Sequence, residues 1–220
     1  MTPIYEKENV KIFVDEDPQD PRTEWDNLGT MVCFHNKYNL GDKDHGYKQS
    51  DYKGWNALEY QLRIEHNPCV VLPIFMYDHS GITISTTPFS CPWDSGQIGF
   101  IYCSEALALK KEADYTKMAE YLHQEVEDYN KYLTGECYGY VCEAKPQYSV
   151  ERGHCIMKNG DILFRLRDAS AEHDALVVDA LNAYDPSDLD SCWGFYEYTP
   201  EELADMVLNE TFNMKKGEIK

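Results

Sequence analysis

Short apolar runs separated by polar turns recur along most of the chain. The runs are rich in β-branched and aromatic residues, and turn-forming stretches such as DHSG and PFSCPWDSG separate them, which predicts strands. A further run at 157–167 contains Asn159-Gly160, a pair that favours the left-handed turn of a β-hairpin. The strands predicted outside this hairpin are residues 11–14, 28–35, 69–77, 82–86, 97–103, 138–143 and 192–198.

Other segments have a helical period instead. They are residues 55–65, 104–133 and 170–183, and a last helix that begins after residue 199. In the first two, apolar residues at steps of three and four mark a stripe that a helix buries. The stripe residues are Trp55, Leu58 and Leu62 in the first, and Met118, Leu122, Val126, Tyr129 and Leu133 in the second.

The helix ends also have characteristic residues. Gly135 follows the second stripe, where a C-cap glycine is expected. Thr199-Pro200-Glu201-Glu202 has the pattern of a capping box with proline at the first helical position. Strands and helices are mixed without regular alternation. This order predicts an α+β fold, with a mainly antiparallel sheet and three to four flanking helices in a single domain, residues 1–220.

The net charge narrows the possible partners. The chain has 39 acidic and 20 basic residues, a formal charge of −19. Such a field repels phosphate backbones and anionic lipid surfaces, so we expect no direct binding of nucleic acid or membrane. It attracts the nucleic-acid-binding face of another protein, a cationic small molecule or a divalent metal. The N-terminus also lacks the basic and apolar regions of a signal peptide, which predicts a cytoplasmic location.

Eight cysteines lie scattered in apolar, strand-like stretches. Four disulfides in a secreted protein are one interpretation of that number. The predicted cytoplasmic location favours the other, that they are free, buried thiols. The cysteines are residues 33, 69, 91, 103, 137, 142, 155 and 192.

Residues 168–210 contain twelve acidic residues and no lysine or arginine. Protein surfaces usually mix both signs of charge, so an unbroken acidic stretch is a candidate interaction face. The alternative is a simple gain in solubility, or a host whose proteins are generally acidic. The candidate binding residues are Asp179, Asp188, Asp190, Glu201 and Glu202.

Two loops, 78–81 and 90–96, concentrate reactive side chains. Cys91, His79 and Asp94 are the parts of a thiol nucleophile with its base and orienting carboxylate, and Asp78 is an alternative carboxylate. If 82–86 forms a hairpin strand, the loops are expected at its opposite ends, unless a long bend brings them together. The competing interpretation is structural: two turns, with Cys91 and Trp93 filling the core beneath them.

Two further patterns suggest binding sites. The spacing Asp42-x-Asp44-x-Gly46 resembles the start of a calcium loop, but its glycine comes one position early and no glutamate follows at the twelfth position. The other candidate metal ligands are His35, His45, Asp78 and His79. We therefore expect no metal and no cofactor. The strands near 135–140 and 190–196 both combine cysteine, glycine and aromatic residues. We expect them to pair, with glycine allowing close approach to a ring, either as core packing or as an aromatic surface for a flat ligand.

Several of these segments together resemble a family of small proteins of bacteriophages and other mobile elements. The resemblance covers roughly residues 25–140 and 190–196, and it implies an insertion at 144–185. It implies a biological context and no mechanism. The motifs are WDNLGTM at 25–31, Tyr38-x-Leu40-Gly41-Asp42, DHSG at 78–81, CPWDSGQ at 91–97 with Gly99, YLTG at 132–135, and DSCWG at 190–194.

This context favours a phage accessory protein that acts in the cytoplasm of an infected bacterium. We expect it to inhibit a basic host protein, such as a nuclease or CRISPR effector, by presenting carboxylates where that protein expects phosphates. An enzyme, or a protein that binds a small molecule or metal through the 78–81 and 90–97 loops, is the alternative. A structural module of the phage particle is a third possibility.

Overall fold

The computed structural model of the protein describes residues 1–142, 148–151, 154–157, 162–165 and 190–217. Within these residues all strand pairs are antiparallel and helices flank the sheets, so the predicted α+β class is confirmed. The strands are β1 (Tyr5–Lys7), β2 (Val10–Val14), β3 (Thr30–Cys33), β4 (Pro68–Asp78), β5 (Ile82–Ser85), β6 (Ser95–Ser104), β7 (Tyr138–Cys142), β8 (Tyr148–Glu151), β9 (His154–Met157), β10 (Ile162–Arg165) and β11 (Asp190–Phe195). The helices are α1 (Pro21–Glu24), α2 (Trp55–His66), α3 (Glu105–Lys110), α4 (Met118–Thr134) and α5 (Pro200–Gly217).

The chain forms two compact units, one of Asp15–Cys137 and one that combines Met1–Val14 with the part from Tyr138 onward. The strands divide among three sheets, in the orders β3-β6-β4-β5, β1-β2-β7-β11 and β10-β9-β8. The first sheet belongs to the 15–137 unit and the other two to the second unit. A single domain over residues 1–220 stays a prediction.

The sheet of the 15–137 unit is covered by helices on both faces. Met31 and Cys33 of β3 point into a core shared with α4, whereas Val32 between them points into a core shared with α2. This alternation follows from the two-residue repeat of a strand. The predicted stripes are confirmed: Leu58 and Leu62 of α2 are buried, as are Met118, Leu122, Val126 and Tyr129 of α4, while the remaining members, Trp55 and Leu133, are half-buried against the same cores.

In the second unit, α5 packs on one face of the β1-β2-β7-β11 sheet. Leu203, Ala204 and Val207 of α5 are buried against Val10 and Ile12 of β2, with Tyr140 and Cys142 of β7. The predicted capping box is confirmed at the start of α5. Thr199 N donates to Glu202 Oε2 at 2.9 Å, and Glu202 N donates to Thr199 Oγ1 at 3.4 Å. The C-cap of α4 is also confirmed, since Gly135 has a φ of 76°.

The predicted pairing of the two cysteine-, glycine- and aromatic-rich strands is confirmed. β7 and β11 pair, with Gly139 opposite Trp193. A Cβ atom on Gly139 would lie 2.0 Å from the Trp193 ring, so only glycine lets the indole lie this close to the strand. Phe13 of β2 packs beside the same indole, with ring centroids 6.1 Å apart.

Several predictions fall wholly or partly outside the described residues. β9 and β10 pair as the hairpin predicted at 157–167, but its Asn159-Gly160 turn lies outside them. The helix predicted at 170–183 also lies outside, as does most of the insertion predicted at 144–185.

The seven cysteines whose side chains are described are free thiols. Their burial is less uniform than expected. Cys192 is exposed and Cys69 and Cys91 are half-buried, while Cys33, Cys103, Cys137 and Cys142 are buried.

Candidate functional site

The two reactive loops meet at one end of the β3-β6-β4-β5 sheet, because the segment after β5 bends back; of the two predicted arrangements, this is the one that brings the loops together. β5 does form a hairpin with β4, in which Asp78 pairs with Ile82. However, β6 runs along the other side of β4 and begins where β4 ends, so Tyr77 pairs with Ser95. Asp78 N therefore donates to Asp94 O at 2.8 Å. The segment that follows β5 thus ends next to the 78–81 loop that precedes β5.

The Asp94 carboxylate is the shared partner of the other two candidate catalytic residues. Its Oδ2 lies 3.5 Å from His79 Nδ1 and 3.7 Å from Cys91 Sγ. A thiol nucleophile needs the imidazole between the thiol and the carboxylate, because the imidazole must take the thiol proton. Here the carboxylate holds the central position. The geometry therefore supports a binding site with three polar groups better than an assembled catalytic triad.

The position of Trp93 contradicts the structural interpretation of the 90–96 loop. The tryptophan side chain is 92% exposed, so it does not fill the core beneath the loop as expected. Tyr77 takes the role of the packed ring, with its centroid 5.9 Å from His79 and 5.8 Å from Phe89. The site thus combines an exposed indole with the Cys91, His79 and Asp94 side chains.

Two residues that the sequence analysis missed also contribute to the site. Lys37 Nζ lies 3.1 Å from Asp78 Oδ2, and Tyr38 donates its hydroxyl to Asp78 Oδ1 at 3.3 Å. The hydrogen bond from Lys37 lowers the pKa of Asp78. Asp78 consequently fixes the 35–38 segment beside the site, and Asp94 is the carboxylate that contacts His79. Residues 37 and 78 are far apart in the chain, so no local pattern predicts their pairing.

The candidate metal ligands Asp42, Asp44 and His45 do not form a common site. The Asp42 carboxylate accepts hydrogen bonds from Arg22 Nε at 2.8 Å and from Met31 N at 2.8 Å. The His45 ring packs against Phe34, with centroids 5.8 Å apart, and burial lowers its pKa. Asp44 is exposed. In the described parts of the chain, no three His, Cys, Asp or Glu residues are grouped so that they could hold a metal ion.

The candidate acidic binding residues divide into two sets. Asp179 and Asp188 lie outside the described residues, and Asp190 begins β11, where it pairs with Cys142. Glu201 and Glu202 are exposed in the first turn of α5. Glu202 also caps the helix, so its carboxylate has a structural role as well.

None of the known protein families, curated proteins or solved structures compared with the chain matches it. The resemblance to the bacteriophage family therefore stays a prediction. No helix in the described ranges is long and apolar enough to cross a membrane.

Proposed function

We propose that the protein is a phage-encoded accessory protein that inhibits a basic host protein, of the anti-CRISPR or anti-restriction type. Its acidic segment, defined as residues 168–210, would occupy the surface on which that host protein binds nucleic acid. The observation that carries this proposal is the charge of the segment, twelve acids without a lysine or arginine. Glu201 and Glu202, its members in the first turn of α5, are both exposed to a partner.

The physical basis is charge-assisted hydrogen bonding. A groove that binds phosphates presents arginine and lysine donors, and carboxylates can accept the same bonds. Complementary charge also steers the two proteins together, so association is faster at low salt and slower when ions screen the field. Inhibition by the acidic segment must therefore weaken as salt rises.

The first test neutralises five acids of the segment together. The variant carries Asp179→Asn, Asp188→Asn, Asp190→Asn, Glu201→Gln and Glu202→Gln; glutamine retains the capping contact of residue 202. Tagged protein is incubated with nuclease-treated bacterial lysate at low and high salt, and the retained proteins are identified. We expect wild type to retain a nucleic-acid-binding protein at low salt, and the variant to bind it at least about tenfold more weakly with a shallower salt dependence.

A matched control removes five exposed acids from the 15–137 unit. It carries Glu16→Gln, Asp17→Asn, Glu24→Gln, Glu112→Gln and Glu120→Gln, and so has the same net charge as the test variant. We expect this control to retain the partner almost as well as wild type. Equal losses in both variants would show that total charge matters, and equal retention by all three proteins would rule out the acidic segment as the contact.

The meeting of the 78–81 and 90–97 loops favours a second candidate function, binding of a small molecule. Cys91 Sγ and His79 Nδ1 both lie within 4 Å of Asp94 Oδ2, in a loop that also carries the exposed Trp93. An exposed indole can stack on a flat or cationic group while the polar residues fix its orientation.

Thermal-shift screening with a panel of small metabolites tests this second function. A ligand of the site should raise the melting temperature of wild type but affect neither Cys91→Ala nor His79→Ala, because each variant loses a polar contact. His123→Ala, which removes a half-buried histidine of α4 that contacts Thr86 and Glu127, is the control and should respond like wild type. A ligand that shifts all four proteins equally would bind elsewhere.

A further inference from the structure

A β-bulge in β4 brings Cys69 close to Cys103 of β6. Pro68 lies opposite Ser104 and Val70 opposite Cys103, so Cys69 is the extra residue between them. Side chains of consecutive strand residues normally point to opposite faces. Here both Cys69 and Val70 pack against the core that contains Cys103. The bulge therefore places two cysteines of neighbouring strands on the same face of the sheet.

The Cys69 thiol contacts the main chain of Cys103. Cys69 Sγ donates to the main-chain oxygen of Cys103 at 3.3 Å. Burial, and then the neighbouring Cys69 thiol, raise the pKa of Cys103 to about 11. Cys103 is fully buried, whereas Cys69 is half-buried. A reagent from solvent thus reaches Cys69 first, with Cys103 next to it.

We propose that Cys69 and Cys103 are a redox-active dithiol that closes to an intramolecular disulfide when Cys69 meets a small disulfide oxidant of the oxidised-glutathione class. The Cys69 thiolate attacks one sulfur of the oxidant, forms a mixed disulfide and releases one glutathione thiolate. The Cys103 thiolate then attacks the Cys69 sulfur and releases the second glutathione. The two protein thiols lose two protons and two electrons in total, and the oxidant is reduced to two thiols.

The backbone is suited to this closure. In a β-bulge two residues of one strand oppose one residue of the partner strand, so Cys69 and Val70 together oppose Cys103, and the Cys69 Sγ atom reaches the main chain of Cys103. The second step is intramolecular, so Cys103 competes well with glutathione despite its burial. Because Cys103 reacts as a thiolate and its pKa lies far above neutrality, closure should accelerate as pH rises from 7 to 9.

The test uses the full-length protein. It is incubated with oxidised glutathione, blocked with N-ethylmaleimide and digested with a protease that cleaves before aspartate. This cleavage separates Cys69, Cys91 and Cys103 onto peptides 51–77, 78–93 and 94–113. Mass spectrometry should find the 51–77 peptide linked to the 94–113 peptide, at least about tenfold more abundantly than any link to Cys91.

Variants separate the two chemical steps. Cys103→Ser should leave Cys69 as a stable glutathione adduct, and Cys69→Ser should prevent both the adduct and the link. Cys91→Ser is the control and should leave the link unchanged. If Cys103→Ser does not fold, the wild-type and Cys69→Ser digests still decide the question. A wild-type digest with Cys69 unmodified, or only glutathionylated, would overturn the proposal.

Discussion

Replacement of Arg22 by methionine is expected to lower the free energy of unfolding by about 3–5 kcal/mol. The Arg22 side chain is 2% exposed and lies between Asp42 and Glu125, with Nε–Oδ1 and Nη1–Oε2 distances of 2.8 Å each. Its Nη2 also donates to Gly29 O at 2.7 Å. Without the guanidinium, two carboxylates that are largely shielded from water lose their cationic partner.

The same carboxylates organise the chain around the WDNLGTM motif. Glu125 Oε1 accepts hydrogen bonds from Leu28 N at 2.7 Å and Gly29 N at 3.1 Å, and Asp42 Oδ2 accepts one from Met31 N. Loss of Arg22 should therefore loosen both carboxylate partners of this segment.

Urea denaturation followed by circular dichroism measures the loss in Arg22→Met. Arg63→Met is the control, since Arg63 forms an exposed i,i+4 pair with Glu59 on α2 that is worth about 0.5 kcal/mol or less. A loss below about 1 kcal/mol in Arg22→Met would contradict a central role for the buried pairings.

Gly99→Ala is expected to destabilise the protein by about 3 kcal/mol or more, although alanine is usually the better residue in a strand. A Cβ atom at position 99 would lie 2.0 Å from the main-chain oxygen of Val32. Cys33 of β3 pairs with Gly99 of β6, so the clash would force these two strands apart. A backbone atom cannot move aside as a flexible side chain can.

Gly96→Ala is a matched control on the same strand. A Cβ atom at Gly96 would have no heavy atom within 4 Å, so this change should be neutral or stabilise the protein by up to about 1 kcal/mol. Equal urea midpoints for the two variants would show that the close approach of β3 and β6 at Gly99 is unimportant.

Local patterns predicted the local elements of this fold. The stripe of α4 and its C-cap at Gly135 followed from periodicity, and the start of α5 followed from its capping box. Long-range pairing is different, because β2 near the N-terminus pairs with β7 more than a hundred residues later. No local pattern specifies that partner, so the division into separate sheets was not predicted.

The candidate site was predicted in its residues but not in its geometry. The DHSG and CPWDSG motifs identified Cys91, His79 and Asp94, yet their meeting depends on β6 pairing beside β4. The exposure of Trp93 was also missed, because tryptophan is usually packed. No local sequence pattern identified the buried ion pairs of Arg22, because its partners Asp42 and Glu125 are distant in sequence.

Nucleic-acid mimicry predicts that a captured partner cannot bind the protein and nucleic acid at the same time. The direct measurement is a competition. The captured partner is first saturated with a fluorescent oligonucleotide that it binds. Fluorescence anisotropy is then followed while one of three proteins is added: wild type, the five-acid variant of residues 179–202 or the control with five acids removed from the 15–137 unit.

We predict that wild type and the control displace the oligonucleotide fully at low salt, and that the five-acid variant requires at least about tenfold more protein. Full displacement by the five-acid variant at the wild-type concentration would exclude the acidic segment as the mimic. A stable complex of the partner with both wild type and the oligonucleotide would contradict mimicry itself.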